Sequence, residues 1–580
     1  MYNGIVLRKD VKNMAGLFEG FVTVSRYALL IIALYVVIRV VIAMFFKKAS
    51  NPIRGRLIND ITGEVITLRD NEVSIGRNKT CDVVLGFDTI SRLHAVLAFR
   101  NKGFVIFDTN SKSGVTVNGE KIKRKAHIYD GDCVGFGGLE YTLSVNKFKY
   151  IKDKSPKFAR VSYFSIFILL SVFNLIEMLL TSFPEGEFEF LVASSFLGMI
   201  FLIWGYYFVA SIFMRITTFD VESVAFLFAS ISLGIVASIY SVAVLKQFFA
   251  IVIGVLGFCV LLSLLRFIDA IKPIRYVLAL GAIGLLAVTL LIAEPTNGAL
   301  SWVNIGGISL QPSELVKVAF IFVGAVTLER LQSVRHLTLY MIFAAVCVIE
   351  LFLMYDFGAA LIFFFTFIVI AFMRSGDIRT IMLICIGAAL GAVLIIVFKP
   401  YVAARFSGYL HIWENMDTTG YQQTRTLIYS ASGGLFGLGL GNGELRNIFA
   451  AAEDLVFGVV CEEFGMIMGF LIPITFILLA VATVINSQKS KSTFYAISGV
   501  AAVSLLLFQS MLNIFGVTDL LPLTGVTLPF ISKGGSSIIC CFCLLAFIKT
   551  VDVRTFSNFK PVMERPVPKQ KGRVKDEVND

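Results

Sequence analysis

The chain is short of charge. Asp, Glu, Lys and Arg make up 16% of its 580 residues, while 57% are hydrophobic; a soluble domain carries roughly 25% charge and 45–50% apolar residues. That deficit excludes a wholly soluble protein, because the apolar excess must face something other than water. Histidine is scarcer still, at four residues, which excludes a histidine-rich metal centre. The nine cysteines include one C-x-x-C spacing, Cys540 to Cys543. Cys540, Cys541 and Cys543 lie inside an apolar run with no His or Asp beside them, so they read as helix-packing residues and no metal site is expected. A compact basic patch with interleaved aromatics is also missing, so the net charge of +11 does not point to nucleic acid. In so apolar a chain it points to loops facing anionic lipid.

Long apolar runs are what the chain has in quantity. The first, 27–46, ends in Lys47-Lys48 with no small-residue cleavage site, and reads as a retained anchor rather than a signal peptide. Residues 51–147 then change character. Short alternating runs such as Glu64-Val65-Ile66-Thr67-Leu68 are separated by turn signals at Thr62-Gly63, Asn118-Gly119 and Asp130-Gly131-Asp132, the pattern of a β-sandwich. A basic linker follows at 148–160. Beyond it, spans are expected near 161–180, 190–213, 222–242, 247–268, 274–293, 313–329, 337–354, 356–373, 379–398, 455–484, 493–515 and 533–550. The stretch 337–373 is 37 residues long with only Glu350 and Asp356 charged. One crossing takes about 20 residues, so it must be two helices turned near Asp356-Phe357-Gly358.

Loop charge orders these spans. Arg215, Arg266, Lys272, Arg275, Arg330, Arg335, Arg374, Arg379, Lys489 and Lys491 fall in one set of loops. Loops 181–189, 294–312 and 517–532 are nearly free of Lys and Arg. The positive-inside rule makes the first set cytoplasmic. Twelve spans then place the sandwich and the polar tail 551–580 in the cytoplasm, and residues 1–24, the Asp356 turn and loop 399–454 outside. The tail reads as disordered. The expected fold is therefore an all-α polytopic membrane protein of about twelve spans plus an N-terminal anchor helix, with a cytoplasmic all-β sandwich. Its parts are an anchor (1–50), the sandwich (51–147), a linker (148–160), five leading spans (161–293), a core (294–550) and the tail (551–580).

In the sandwich, Ser74-Ile75-Gly76-Arg77, then Ser91-Arg92-Leu93-His94, then Asp108 through Val117-Asn118-Gly119 follow one another. Arg77, Arg92 and the Ser91 hydroxyl can supply the charge-assisted donors a phosphate needs. This order resembles the forkhead-associated (FHA) domain, which binds phosphothreonine peptides. The resemblance implies that Arg77 and Ser91 hold the phosphate and that His94 is structural. One departure is Ser113-Gly114-Val115 in place of the usual Asn-Gly-Thr, which favours phosphate capture over tight sequence selectivity. The alternative is a sandwich that binds unphosphorylated protein.

In the membrane part, ionisable residues are costly and mark sites. Glu314 and Lys317 are neighbours on one helix face, and the plain reading is a structural ion pair. Asp356 stands between two apolar spans, and its plain reading is a helix N-cap. The glycine run Gly433 to Gly441 is no dinucleotide fingerprint, since no strand precedes it.

These residues fall in blocks: Gly298-Ala299-Leu300-Ser301-Trp302-Val303, Gln311-Pro312-Ser313-Glu314-Leu315-Val316-Lys317, Asp356-Phe357-Gly358-Ala359-Ala360, Gly420-Tyr421-Gln422-Gln423 with the glycine run, Asp454 through Glu462-Glu463-Phe464-Gly465, and Leu528-Pro529-Phe530-Ile531-Ser532-Lys533-Gly534-Gly535-Ser536-Ser537. In this order they resemble the shape, elongation, division and sporulation family of RodA, FtsW and SpoVE. Departures are Ser301 for the usual Arg, Lys533 for Tyr and Ala452 for His, together with extra leading spans.

The resemblance implies an inverting peptidoglycan glycosyltransferase that polymerises lipid II at the outer face, beside a class B penicillin-binding protein. It implies Asp356 as catalytic base, with Lys317 and Arg405 stabilising the leaving pyrophosphate. Gln311, Glu314 and Ser536 complete the substrate-binding set. A divalent cation could assist the pyrophosphate, though no dedicated site is visible in the sequence. The FHA module implies a phosphothreonine partner from a Ser/Thr kinase pathway. Two other readings remain open: a flippase for lipid-linked precursors, and a non-catalytic scaffold coupling phosphorylation to wall synthesis.

Overall fold

A computed structural model describes residues 2–46, 55–68, 72–78, 81–100, 103–145, 162–183, 187–214, 216–295, 299–305, 308–328, 334–375, 382, 386, 409–488, 490 and 492–552. The linker 148–160, nearly all of the span expected at 379–398, Arg405 and residues 553–580 lie outside them. The chain divides into two compact units, one holding residues 1–48 and 155–555 and the other built on residues 49–154.

The second unit is a sandwich of eleven strands: β1 (Gly55–Ile58), β2 (Val65–Leu68), β3 (Glu72–Gly76), β4 (Val83–Val84), β5 (Ala95–Arg100), β6 (Gly103–Asp108), β7 (Val115–Val117), β8 (Glu120–Lys121), β9 (Lys125–Ile128), β10 (Cys133–Phe136) and β11 (Leu139–Ser144). One sheet runs β2-β1-β11-β10-β7-β8 and the other β4-β3-β5-β6-β9. Alternation along the strands turns Leu57, Ile75, Leu97, Ile106, Val134 and Leu143 into one shared core. The β7–β8 hairpin closes through Asn118 (φ 51°) and Gly119 (φ 83°). Both are left-handed, as a two-residue turn matched to the strand twist requires.

The first unit is helical. Its helices are α1 (Tyr2–Phe46), α2 (Tyr163–Thr181), α3 (Phe190–Ile212), α4 (Asp220–Ile239), α5 (Val244–Leu265), the short α6 (Ile268–Ile271) and α7 (Arg275–Ile292). A small hairpin, β12 (Val303–Ile305) and β13 (Ile308–Leu310), leads into α8 (Pro312–Leu328), α9 (Val334–Leu353) and α10 (Phe357–Ser375). Then come α11 (Tyr421–Ser432), α12 (Val456–Glu463), α13 (Met466–Ser487), α14 (Thr493–Val517) and α15 (Gly535–Val551). Among the described residues, eight helices are long and apolar enough to cross a membrane, and three shorter apolar helices accompany them. The anchor is longer than its apolar part: α1 has 45 residues, of which Gly20–Phe46 form the candidate span.

Helix α4 is the axis of the bundle. Some 89% of its apolar window is buried, against 17% for Lys272–Ile292, because α1, α2, α3, α5 and α15 pack around it. The 37-residue stretch is indeed two helices, α9 and α10, and the chain reverses at Tyr355 (φ 58°) and Asp356. The single span expected at 455–484 is two helices instead. The chain breaks at Gly465 (φ 92°), where a Cβ would lie 2.4 Å from the Leu435 carbonyl oxygen. The glycine run packs there backbone to backbone, with Leu438 N–H donating to Glu462 O and Met466 N–H to Gly434 O. Only a glycine in the left-handed region permits that approach.

Candidate functional site

At the start of α10, Asp356 does two things. Its Oδ1 accepts the Ala359 amide at 3.0 Å, so it is an N-cap. Its Oδ2 accepts from Gln311 Nε2 at 3.0 Å. The Gln311 amide in turn donates to Ser536 Oγ at 3.3 Å, bringing the block before α8 and the block opening α15 to the same aspartate. Asp356 keeps partial surface access, but protein surrounds its carboxyl and burial pushes its pKa above the usual value. The Ala359 amide, Gln311 and the Lys317 charge pull the other way without cancelling that shift. The result is a carboxylate held in place by one fixed amide and one side-chain donor.

One turn along α8, Lys317 is enclosed at 1% exposure. Its ammonium donates to Glu314 Oε1 at 2.7 Å and to Gln509 Oε1 at 2.9 Å. Gln509 Nε2 donates to Thr527 O at 3.0 Å, and Thr527 Oγ1 lies 2.8 Å from Ser537 Oγ. The pair is thus wired by hydrogen bonds into the loop before α15. Nearby, Lys533 Nζ meets Glu453 Oε1 at 2.6 Å and stands 4.2 Å from the Tyr240 ring centroid. The Lys533 amide donates to Ala452 O at 2.8 Å, so two of the departures noted in the sequence, Lys533 and Ala452, touch. Among the described residues, no group of three or more His, Cys, Asp or Glu could hold a metal ion.

The sandwich carries its own rim. The Arg77 amide donates to Ser91 O and the Asn78 amide to Arg92 O, each at 3.0 Å, tying the loops that present Arg77, Ser91 and Arg92. Ser91 Oγ accepts the Lys112 amide at 3.0 Å. His94 is fully buried. Its Nδ1 accepts the Ser91 amide at 3.1 Å, so its Nε2 carries the proton and donates to Gly114 O at 3.2 Å. The imidazole is a clamp between loops. Ser113 Oγ donates to Thr89 O, inside the domain. Arg77 Nη1 reaches Asp88 Oδ1 at 2.5 Å, and the Asp88 side chain is 99% exposed. An exposed pair contributes only about 0–1 kcal/mol, so Asp88 holds Arg77 only weakly.

Residues 217–556 match the family model of the FtsW, RodA and SpoVE cell cycle proteins, which is more than half of the chain. The chain belongs to this family. Residues 73–137 match the FHA domain. A probable peptidoglycan glycosyltransferase FtsW of Buchnera aphidicola is 32% identical over 312 residues, covering 51% of this chain and 78% of that protein. The peptidoglycan glycosyltransferase RodA of Mycobacterium bovis is 27% identical, covering 55% and 72%. A solved chain from a peptidoglycan synthase complex superposes with a TM-score of 0.49 at 23% identity, covering 59% of this chain and 99% of its own. The FtsW/RodA/SpoVE match begins just before α4, so α1, α2 and α3 lie outside it.

Of the family-block candidates, the structure brings Asp356, Gln311 and Ser536 together and pairs Glu314 with Lys317. Gln509, Thr527 and Ser537 belong to the same cluster and were missed. Gln509 had a signal, a side-chain amide in a long apolar run, but it carries no charge to mark it as the ionisable groups are marked.

Arg77→Ala should weaken binding of a phosphothreonine peptide to the purified protein roughly 10- to 150-fold, because each charge-assisted bond contributes about 1.5–3 kcal/mol. Fluorescence anisotropy with matched phosphorylated and plain peptides measures it. Equal affinity of the wild-type protein for the two peptides would show that the rim reads something other than phosphate.

Proposed function

We propose that the protein is a peptidoglycan glycosyltransferase that polymerises lipid II at the outer face of the membrane, and that its FHA domain, in the cytoplasm, binds a phosphothreonine protein of a Ser/Thr kinase pathway. The observation that carries this reading is the Asp356 cluster: a carboxylate raised in pKa, oriented by Gln311 and the Ala359 amide, at a helix turn in an apolar bundle. The named activity of the relatives supports it.

The acceptor sugar hydroxyl attacks the anomeric carbon of the donor. The new C–O bond forms as the bond to undecaprenyl pyrophosphate breaks, and the centre inverts. The hydroxyl proton passes to Asp356, which must be ionised to take it. Negative charge grows on the leaving pyrophosphate, and cations stabilise it. Arg405 is assigned that role from the sequence. Lys317 acts from within, since its ammonium is turned to Glu314 and Gln509. A divalent cation bound with the pyrophosphate would supply further positive charge to the leaving group.

In this reading residues 1–24, the Asp356 turn and loop 399–454 lie outside, and the tail lies in the cytoplasm. Cysteines introduced between 409 and 454 should react with an impermeant maleimide in intact cells. Reaction only after permeabilisation overturns the orientation. A class B penicillin-binding transpeptidase is the expected partner, to crosslink the strands; co-purification in mild detergent tests it. Polymerisation of lipid II by the purified protein tests the activity itself.

A further inference from the structure

Helix α1 belongs to no family match, yet it grips the glycine run of the family half. Arg26 Nη1 donates to Gly437 O at 3.0 Å. The next residue, Tyr27, sets its ring edge-on to Phe436 with centroids 5.2 Å apart. Arg26 also lies 5.3 Å from the Tyr27 ring centroid, which fixes the guanidinium over the loop. The helix is held there by packing on α2, α4 and α13.

The gripped segment is rich in glycine. Gly434, Gly437, Gly439 and Gly441 all have positive φ, between 56° and 97°, and glycines lose the most freedom on ordering. Its amides hang on the end of α12: Leu438 N–H donates to Glu462 O and Gly439 N–H to Glu463 O. Glu462 then takes the Glu444 and Leu445 amides at 2.8 and 3.0 Å. At the other end of α12, Ser532 Oγ donates to Glu453 O and Asn513 Nδ2 to Asp454 O. Four residues beyond Ser532 stands Ser536, bonded to Gln311 and through it to Asp356. The chain of contacts is continuous from Arg26 to the aspartate.

We propose that Arg26 is a positioning residue for the catalytic half, a contact from outside the family region that fixes the 433–445 loop and, through α12, the placement of the Ser536 block. The effect on turnover rests on the glycosyltransferase reading; the effect on the loop does not. Contiguity alone does not establish coupling, so the test measures both.

Hydrogen exchange of the full-length protein in detergent is compared for wild type, Arg26→Ala and Arg26→Lys, alongside lipid II polymerisation. In Arg26→Ala the amides of 433–445 should exchange about tenfold faster, with α14 and α15 unchanged. Turnover should fall at kcat with KM for lipid II within about twofold, as expected when reacting groups are misplaced rather than unbound. Lys keeps a donor and a charge, and should restore most of both. Unchanged exchange across 433–445 in Arg26→Ala overturns the proposal. So does faster exchange throughout the bundle, which would make Arg26 a general stabiliser, and so does a faster-exchanging loop with wild-type kcat. If the wild-type protein makes no strands at all, the glycosyltransferase reading fails, while the exchange experiment still decides whether Arg26 holds the loop.

Discussion

Asp356→Asn should lower the rate of lipid II polymerisation about 10²- to 10⁴-fold, the span typical of losing a general base. The structure sharpens the test, because the aspartate is both cap and candidate base. Asn keeps an oxygen for the Ala359 amide, and as an N-cap it ranks with Asp. Helix α10 should therefore form, and expression and thermal stability should stay near wild type. The amide cannot take a proton. Wild-type turnover should also rise with pH through the Asp356 titration, since only the carboxylate is a base. That limb should lie above the ordinary aspartate value of about 3.9, because burial raises the pKa. Near wild-type polymerisation by the Asn variant would leave Asp356 as a cap and nothing more.

Lys317→Met should cost stability first. It strips the charge from a buried pair and leaves Glu314, whose Oε2 already lacks a partner among the described residues, uncompensated. Breaking a buried pair by removing one member costs about 3–5 kcal/mol. Thermal unfolding in detergent should show a large drop. The double variant Lys317→Met/Glu314→Leu should recover much of it, since an apolar replacement for the whole pair leaves no orphaned charge. Gln509 loses a donor in both variants, so recovery will be incomplete. Should Lys317→Met unfold like wild type, the pair is not structural, and the ammonium must spend its time elsewhere.

Much of this was legible in the residues. Turn chemistry announced the sandwich: Asn118-Gly119 and Asp130-Gly131 supply the positive φ at their glycines. Span arithmetic located the turn at Asp356, since 37 nearly uncharged residues are too many for one crossing. The break at Gly465 was hidden, because apart from Glu462-Glu463 the residues on both sides of it are apolar. What splits them is the glycine run packing backbone to backbone, a tertiary fact. Partners far apart in sequence were equally hidden. Lys317 and Gln509 are 192 residues apart, and Arg26 and Gly437 are 411 apart. Arg26 is only the residue before the first apolar run, and Lys533 only an odd residue in a familiar block. Spacing shows which residues share a helix face, but not which helices meet.

The most direct test is to give the purified full-length protein lipid II in detergent, with no other glycosyltransferase present, and to resolve the product by gel. Glycan strands many disaccharides long are expected, formed with release of undecaprenyl pyrophosphate. Lipid II recovered intact under conditions where the folded protein still binds phosphothreonine peptide would contradict the glycosyltransferase reading.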